Sequence, residues 1–273
     1  MNCAPGKKGS FTCYTKEQLI KMANSINEYN NNKKIKVTNR TKKELWEGIK
    51  TQFNKECTYE WCWLDSPVIK KINDRDLHHF TFLPKRPASW KSNRNVWLTT
   101  TDIEKVMEQY EKLYKDFMFF GPVPVDCPGE FYCELSNLDI KKMNKNGINK
   151  IGVVFNLDKH NEPGSHWVAL FMDKNKKLIQ YYDSVSSAPP RLIKNFMKEL
   201  QAKYLEEGTK MKIETNRNKH QYGGSECGVY SMNFIIECLK GKTMKDFQNK
   251  KISDFSVNIL RDYLYRPYFE KEI

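Results

Sequence analysis

Cys227, His166, Asp183 and Gln221 are of the types, and stand at the spacings, that acyl transfer through a thiol requires. The thiol is the nucleophile and the imidazole its base. A carboxylate orients the base, and an amide donates to the developing oxyanion. Asp183 follows His166 by 17 residues and Cys227 follows Gln221 by six, in the chain order His, Asp, Gln, Cys. Each alone has a plainer reading. Cys227 would be a small buried hydrophobe opening an apolar run, His166 a satisfied strand histidine, and Asp183 a turn or cap.

The surrounding pattern decides between these readings. His166-Trp-Val-Ala-Leu-Phe-Met172 is short, apolar and rich in strand formers, and Leu178-Ile-Gln-Tyr-Tyr-Asp183 is a second such run. The polar stretch Asp173–Lys177 between them reads as a hairpin loop, so the start of one strand faces the end of the next. His166 and Asp183 are thus expected at one rim of a sheet, where the carboxylate can fix the imidazole tautomer. An amide at 183 is expected to preserve part of that orientation. Behind Cys227, apolar residues recur at Val229, Met232, Ile235, Ile236 and Leu239, which is helical spacing, and Gly223-Gly224-Ser225 ahead of it signals a loop. Cys227 therefore opens a helix, where the dipole favours a thiolate. Gly228 lets a substrate backbone come close. The Gln221 amide and the Cys227 backbone N–H are the candidate oxyanion donors.

With His166-Trp167, Asp183-Ser184 and Gln221-x5-Cys227-Gly228 in place, and Trp97-Leu98 ahead of them, the chain resembles the ubiquitin-like-protein protease and adenovirus protease superfamily of cysteine proteases. Within it, Gly152–Asp158, Ala188-Pro-Pro190, Ser225-Glu-Cys-Gly228 and Ile252-Ser-Asp…Asn258-Ile-Leu-Arg261 are most similar to maturation proteases of large nucleocytoplasmic DNA viruses. Glu226 departs from the deSUMOylating branch, which carries Asp there. The resemblance implies His166, Asp183 and Cys227 as the triad and Gln221 in the oxyanion hole. It also implies a substrate tunnel formed by Trp97, Trp167 and Gly228. A tunnel roofed by flat rings admits thin backbone, and so implies a protein substrate cleaved after Gly-Gly or Ala-Gly. It further implies processing of viral polyprotein or core precursors, in the host cytoplasm (the virus factory), in the virion, or in both. Both tryptophans have core packing as their alternative. Two other functions share the chain features: an isopeptidase removing a ubiquitin-like modifier, and an acyltransferase or basic binding module on the same fold.

The elements expected to position these residues make an α+β fold, a central mixed sheet flanked by helices, with a small helical N-terminal module. Ile103, Val106, Met107, Tyr110, Leu113, Tyr114 and Phe117 form one face of a helix over 102–117, and Phe119–Val125 reads as a turn. Pro190 starts a helix carrying Leu192, Ile193, Phe196, Met197 and Leu200, and Met211–Thr215 is a strand. Ser253-Asp254 caps a last helix through Phe255, Ile259, Leu260 and Leu264.

Residues 1–60 read as a basic helical module, 61–95 as an irregular connector, and 96–273 as the protease domain. Thr15-x-x-Gln18 and Thr41-x-x-Glu44 are capping boxes, each opening an amphipathic pattern, and Asn30–Lys34 is a polar linker. The pair of short helices loosely resembles a SAP-type module. Residues 1–95 hold 19 Lys/Arg against 9 Asp/Glu, which is most of the net +13. That surplus offers nucleic acid as a partner through phosphate, or an ordinary solvated face. The chain holds no run of 18 apolar residues to span a membrane and no apolar signal-peptide core near Met1. Eight cysteines at low density are expected to be free thiols in a reducing compartment. Cys3, Cys13, Cys57 and Cys62 lack the Cys-x2-Cys spacing of zinc sites, so no metal and no cofactor is expected.

Overall fold

The structure, a computed structural model, describes residues 2–7, 9–30, 34–53, 57–127 and 129–268. The expected linker at Asn30–Lys34 lies partly outside them, at residues 31–33. The chain divides into two compact units, residues 1–91 with 264–273, and residues 92–263.

In the first unit, α1 (Lys16–Tyr29) and α2 (Lys42–Phe53) start at the two capping boxes. Thr15 and Gln18 exchange side-chain-to-backbone hydrogen bonds at 3.1 and 2.9 Å, and Thr41 and Glu44 do the same at 3.2 and 2.7 Å. Leu19, Met22 and Ile26 of α1 and Leu45, Ile49 and Phe53 of α2 turn into a shared core.

The expected connector is different over 61–91, where the chain completes this core. A 3-10 turn (Glu60–Asp65), α3 (Pro67–Lys70) and α4 (Arg75–His79) bury Trp61, Trp63, Leu64, Ile69 and Leu77 beside α1 and α2. Pro67 marks a helix start, not a linker: it is the first residue of α3, behind a Ser66 cap. The Glu60 carboxylate ties the unit together. It accepts from Thr12 Oγ1 at 2.5 Å, Cys13 N–H at 3.2 Å and Trp46 Nε1–H at 2.9 Å. The chain end also differs from the expected 96–273 boundary. Lys85 bridges Arg266, and Trp90 packs edge-on against Tyr265 at 5.0 Å, so residues 264–268 belong to the first unit.

The second unit holds, in chain order, α5 (Thr100–Leu113), β1 (Phe117–Pro124), α6 (Ile140–Lys145), β2 (Lys150–Asn156), β3 (Trp167–Asp173), β4 (Leu178–Tyr182), α7 (Arg191–Glu206), β5 (Lys212–Thr215), α8 (Cys227–Leu239), α9 (Met244–Asn249) and α10 (Asp254–Leu264). The sheet runs β1-β2-β3-β4-β5, with parallel outer pairs and antiparallel inner pairs, as a mixed α+β fold requires. The expected turn at Phe119–Val125 is edge strand β1, and the helix before it stops at Leu113. Edge position explains how Pro122 and Pro124 fit a strand, because their missing N–H groups are not needed on the unpaired side. The register slips between Phe119 and Pro122 at Gly121, whose φ of +48° supplies the bulge.

Both sheet faces are covered, so every residue of β3 is buried. Ile151, Val153, Phe155, Val168, Leu170 and Met172 pack with Ile193, Phe196, Met197 and Leu200 of α7. On the other face Tyr182 stacks on Phe234 of α8 at 4.7 Å. A side chain at Gly152 would press on Phe117 at 2.8 Å and on Ile235 of α8 at 3.1 Å. Glycine there lets α8 sit close to the sheet and carry Cys227 to its rim.

Six cysteines are not free. Cys3–Cys13, Cys57–Cys62 and Cys127–Cys133 are disulfide-bonded at Cα separations of 5.3, 5.6 and 5.7 Å. The partners are only 10, 5 and 6 residues apart, so short loops bring each pair within bonding range. This overturns the expectation of free thiols and removes the four N-terminal sulfurs from any zinc site. Cys227 and Cys238 remain free and buried. Titration with a thiol reagent in denaturant, without reductant, is expected to find two free thiols per chain. Eight would contradict the pairing.

Candidate active site

The β3–β4 hairpin pairs Ala169 with Tyr182 and Leu170 with Tyr181, which sets His166 just before one strand beside Asp183 just after the other. His166 Nε2–H donates to Asp183 Oδ1 at 2.7 Å. The ring also lies within interaction range of Cys227, the first residue of α8, so carboxylate and thiol act on the same imidazole. Burial alone would lower the His166 pKa. The hydrogen bond to the Asp183 carboxylate and the nearness of Cys227 outweigh it and raise the value from 6.5 to about 9. Cys238 shows the contrast: burial pushes its thiol well up.

Asp183 is fully buried, and each of its oxygens accepts an N–H. Oδ1 also takes Val185 N–H at 3.0 Å, and Oδ2 takes Ser187 N–H at 3.1 Å. Its backbone is clamped by Asn216, which accepts from Asp183 N–H at 2.9 Å and donates to Asp183 O at 2.6 Å. Ser184 continues the chain of contacts. Its hydroxyl donates to Gln221 Oε1 at 2.6 Å, and its carbonyl accepts from His220 and Gln221 N–H at 2.8 and 2.9 Å. Gln221 Nε2 in turn donates to Gly223 O at 2.9 Å, which leaves its second amide hydrogen for another acceptor. The N–H of Cys227, at the start of α8, has no acceptor within the helix. Asn216 was missed from sequence because nothing in its loop marks it. Ser184 follows Asp183 in the sequence motif, but only its contacts reveal the link from the Asp183 segment to the Gln221 amide.

Trp97 and Trp167 both line a groove of about 620 Å³, with Pro124, Phe131, Asn156 and His160. Trp167 is buried and donates from Nε1 to Leu98 O at 3.0 Å, whereas Trp97 is 41% exposed and donates to Gly224 O at 2.6 Å. Phe131 stacks on His160 at 4.4 Å, and His160 is fixed by Asp126 at 2.7 Å, which stiffens the wall. Gly228, expected to lie beside the substrate backbone, packs against the groove wall. It is buried, and a Cβ there would meet Leu98 and the Trp167 ring, each at 3.3 Å. Its missing side chain makes room for the indole that lines the groove.

A family model described as the Ulp1 protease family, C-terminal catalytic domain, matches residues 136–272. A protein of Acanthamoeba polyphaga mimivirus, provisionally named a thiol protease, is 32% identical over 285 residues, spanning 97% of this chain and 93% of its own. A cysteine protease of African swine fever virus is 24% identical over 268 residues, spanning 92% of this chain and 98% of its own. The crystal structure of a protease from African swine fever virus superposes with a TM-score of 0.74 at 22% identity. It covers 98% of this chain and 96% of that one, and so shares the fold.

The three N–H donors on Asp183 change the expectation for Asp183→Asn, because an amide nitrogen would face one of them donor to donor. The His166 pKa, read from its ring protons by NMR, is expected near 9 in the wild type, falling toward 6.5 in Asp183→Asn and in Cys227→Ala. Because folding raises this value, the stabilisation it contributes is complete below about pH 6.5 and is lost as pH rises through about 9. A value near 9 that persists in both variants would contradict this origin.

Proposed function

The chain belongs to the Ulp1 protease family of cysteine peptidases, and on that premise we propose that it is an endopeptidase cleaving after Gly-Gly or Ala-Gly in viral precursor proteins. The observation that carries this reading is His166 held between buried Asp183 and Cys227.

In the proposed reaction the Cys227 thiolate attacks the carbonyl of the glycine before the scissile bond. The Gln221 amide and the Cys227 N–H hold the oxyanion. The C–N bond breaks as the His166 imidazolium gives its proton to the leaving amine, which departs and leaves a thioester. Water then attacks the thioester while His166 takes its proton. The C–S bond breaks, and the product carboxylate leaves with Cys227 again a thiolate. Asp183 keeps one face of the imidazole occupied, so its other nitrogen serves the sulfur.

Substrate choice rests on Trp97 and Trp167. Each indole is pinned through its nitrogen to a backbone carbonyl, so the rings are held and not free to swing aside. A substrate passing beneath such rings is best accommodated where it has no side chain, which favours glycine. The viral origin of two relatives that share nearly the whole length supports precursor processing during virus assembly, in the virus factory or the virion. The basic surplus of residues 1–95 supports nucleic-acid phosphate as a further partner, through an attraction that salt screens.

The test is a peptide panel with internal Gly-Gly-X and Ala-Gly-X sites, beside folded precursors of ubiquitin-like modifiers, read by mass spectrometry. Cleavage after the glycine pairs is expected in the wild type and absent in Cys227→Ala. Cleavage of the folded modifiers alone would replace this reading with a deconjugating isopeptidase.

A further inference from the structure

The loop from Gln221 to Glu226, which carries the amide and leads into Cys227, rests along one face of α10. Asp254, Asn258 and Arg261 lie at i, i+4 and i+7, so they share that face. Asp254 Oδ2 accepts from Tyr222 N–H at 2.9 Å and from Gly223 N–H at 2.8 Å. Asn258 Nδ2 donates to Glu226 Oε1 at 3.1 Å, and Arg261 Nη2 donates to Ser225 O at 3.1 Å. Gly223, fixed by Asp254 through its N–H, uses its carbonyl to hold Gln221 Nε2 at 2.9 Å. A side chain at Gly223 would meet the Glu226 carboxylate at 2.6 Å, so that carboxylate would have to shift to admit one.

We propose that Asp254 is a positioning residue for oxyanion stabilisation, acting through Gly223 on the Gln221 amide. Two successive N–H groups aimed at one carboxylate oxygen fix the Tyr222–Gly223 peptide, and charge makes both bonds stronger than neutral ones. The Gly223 carbonyl then holds one hydrogen of the Gln221 amide, while Ser184 holds its oxygen. The amide is thereby locked with one hydrogen to spare. Asp254 does not cap α10: the Ser253 hydroxyl accepts from Ser256 N–H at 3.2 Å, so the helix start survives loss of the carboxylate. The inference rests on the proposed peptidase reading.

The experiment uses the full chain with Asp254→Ala, Asp254→Asn, Gln221→Ala and the Asp254→Ala/Gln221→Ala double variant. Four quantities are read: kcat and KM on the fastest-cleaved peptide of the panel, the inhibition constant of a Gly-Gly peptide aldehyde, and the rate of Cys227 alkylation by iodoacetamide. The aldehyde adduct develops an oxyanion, whereas alkylation displaces iodide and does not. Since loss of one oxyanion donor costs on the order of 10²–10³ in kcat, Asp254→Ala is expected to lower kcat by about tenfold or more. KM should hold, aldehyde binding should weaken in parallel, and alkylation should be unchanged. Asp254→Asn should recover most of the rate. Its carbonyl can accept both N–H groups, and the Tyr230 hydroxyl, now on Oδ1 at 2.9 Å, can donate instead to Ile252 O at 3.0 Å. In the Gln221→Ala background, Asp254→Ala should cost little more.

Unchanged kcat in Asp254→Ala, an equal loss with and without Gln221, or slowed alkylation with no rescue by Asn would overturn the inference while leaving the peptidase reading intact. A wild type that neither cleaves the panel nor binds the aldehyde would overturn the peptidase reading, and this inference with it.

Discussion

A carboxylate with no exposure to solvent is costly unless its charge is met, and Asp183 is such a group. Two backbone N–H groups and the His166 ring meet it, and Asn216 clamps the peptide that carries it. With one ring nitrogen committed to Asp183, the other is left for Cys227. The same buried charge favours the protonated ring against the opposing effect of burial. Removing the charge would release the histidine both electrically and sterically, so the chemistry of Cys227 depends on a residue on the far side of the ring.

The rest of the second unit serves to bring that pair to the start of α8. The antiparallel hairpin places His166 and Asp183 together, and the bare Cα of Gly152 lets α8 approach the sheet. Gly228 repeats the device one residue beyond the sulfur, where it makes room for Trp167. Ser184 bonds outward to Gln221, so the Asp183 carboxylate and the Gln221 amide are linked through adjacent residues of one strand end. The first unit is organised by a carboxylate too, with Glu60 collecting two side-chain donors and a backbone N–H from separate segments.

The hairpin, the helix behind Cys227 and both capping boxes were legible because periodicity and loop residues are local signals. The His–Asp neighbourhood was legible because a short hairpin determines which residues face each other. The edge strand at Phe117–Pro124 was not, since two prolines and a glycine argue for a turn unless the partner strand is known. Residues 61–91 were read as a connector because their tryptophans and leucines are spaced for short turns and not for a long helix, and only a tertiary core gives them a place. The disulfides escaped because sequence density says little about which thiols meet. In α10, Phe255 is 77% exposed, while the face turned to the loop is polar, so hydrophobic periodicity points away from the contacts that matter. Asn216 and Asp254 act by hydrogen bonds to loop backbone, which no side-chain pattern announces.

The most direct test of the account is the rate of Cys227 alkylation by iodoacetamide at neutral pH, compared between the wild type and Asp183→Ala. Labelling is located by mass spectrometry against Cys238, the other free thiol among the described residues. The account predicts selective labelling of Cys227 in the wild type and a fall of tenfold or more in the variant, at ~1.4 kcal/mol for each factor of ten. Equal rates in the two proteins would mean that the buried carboxylate does not govern the thiol, and would contradict it.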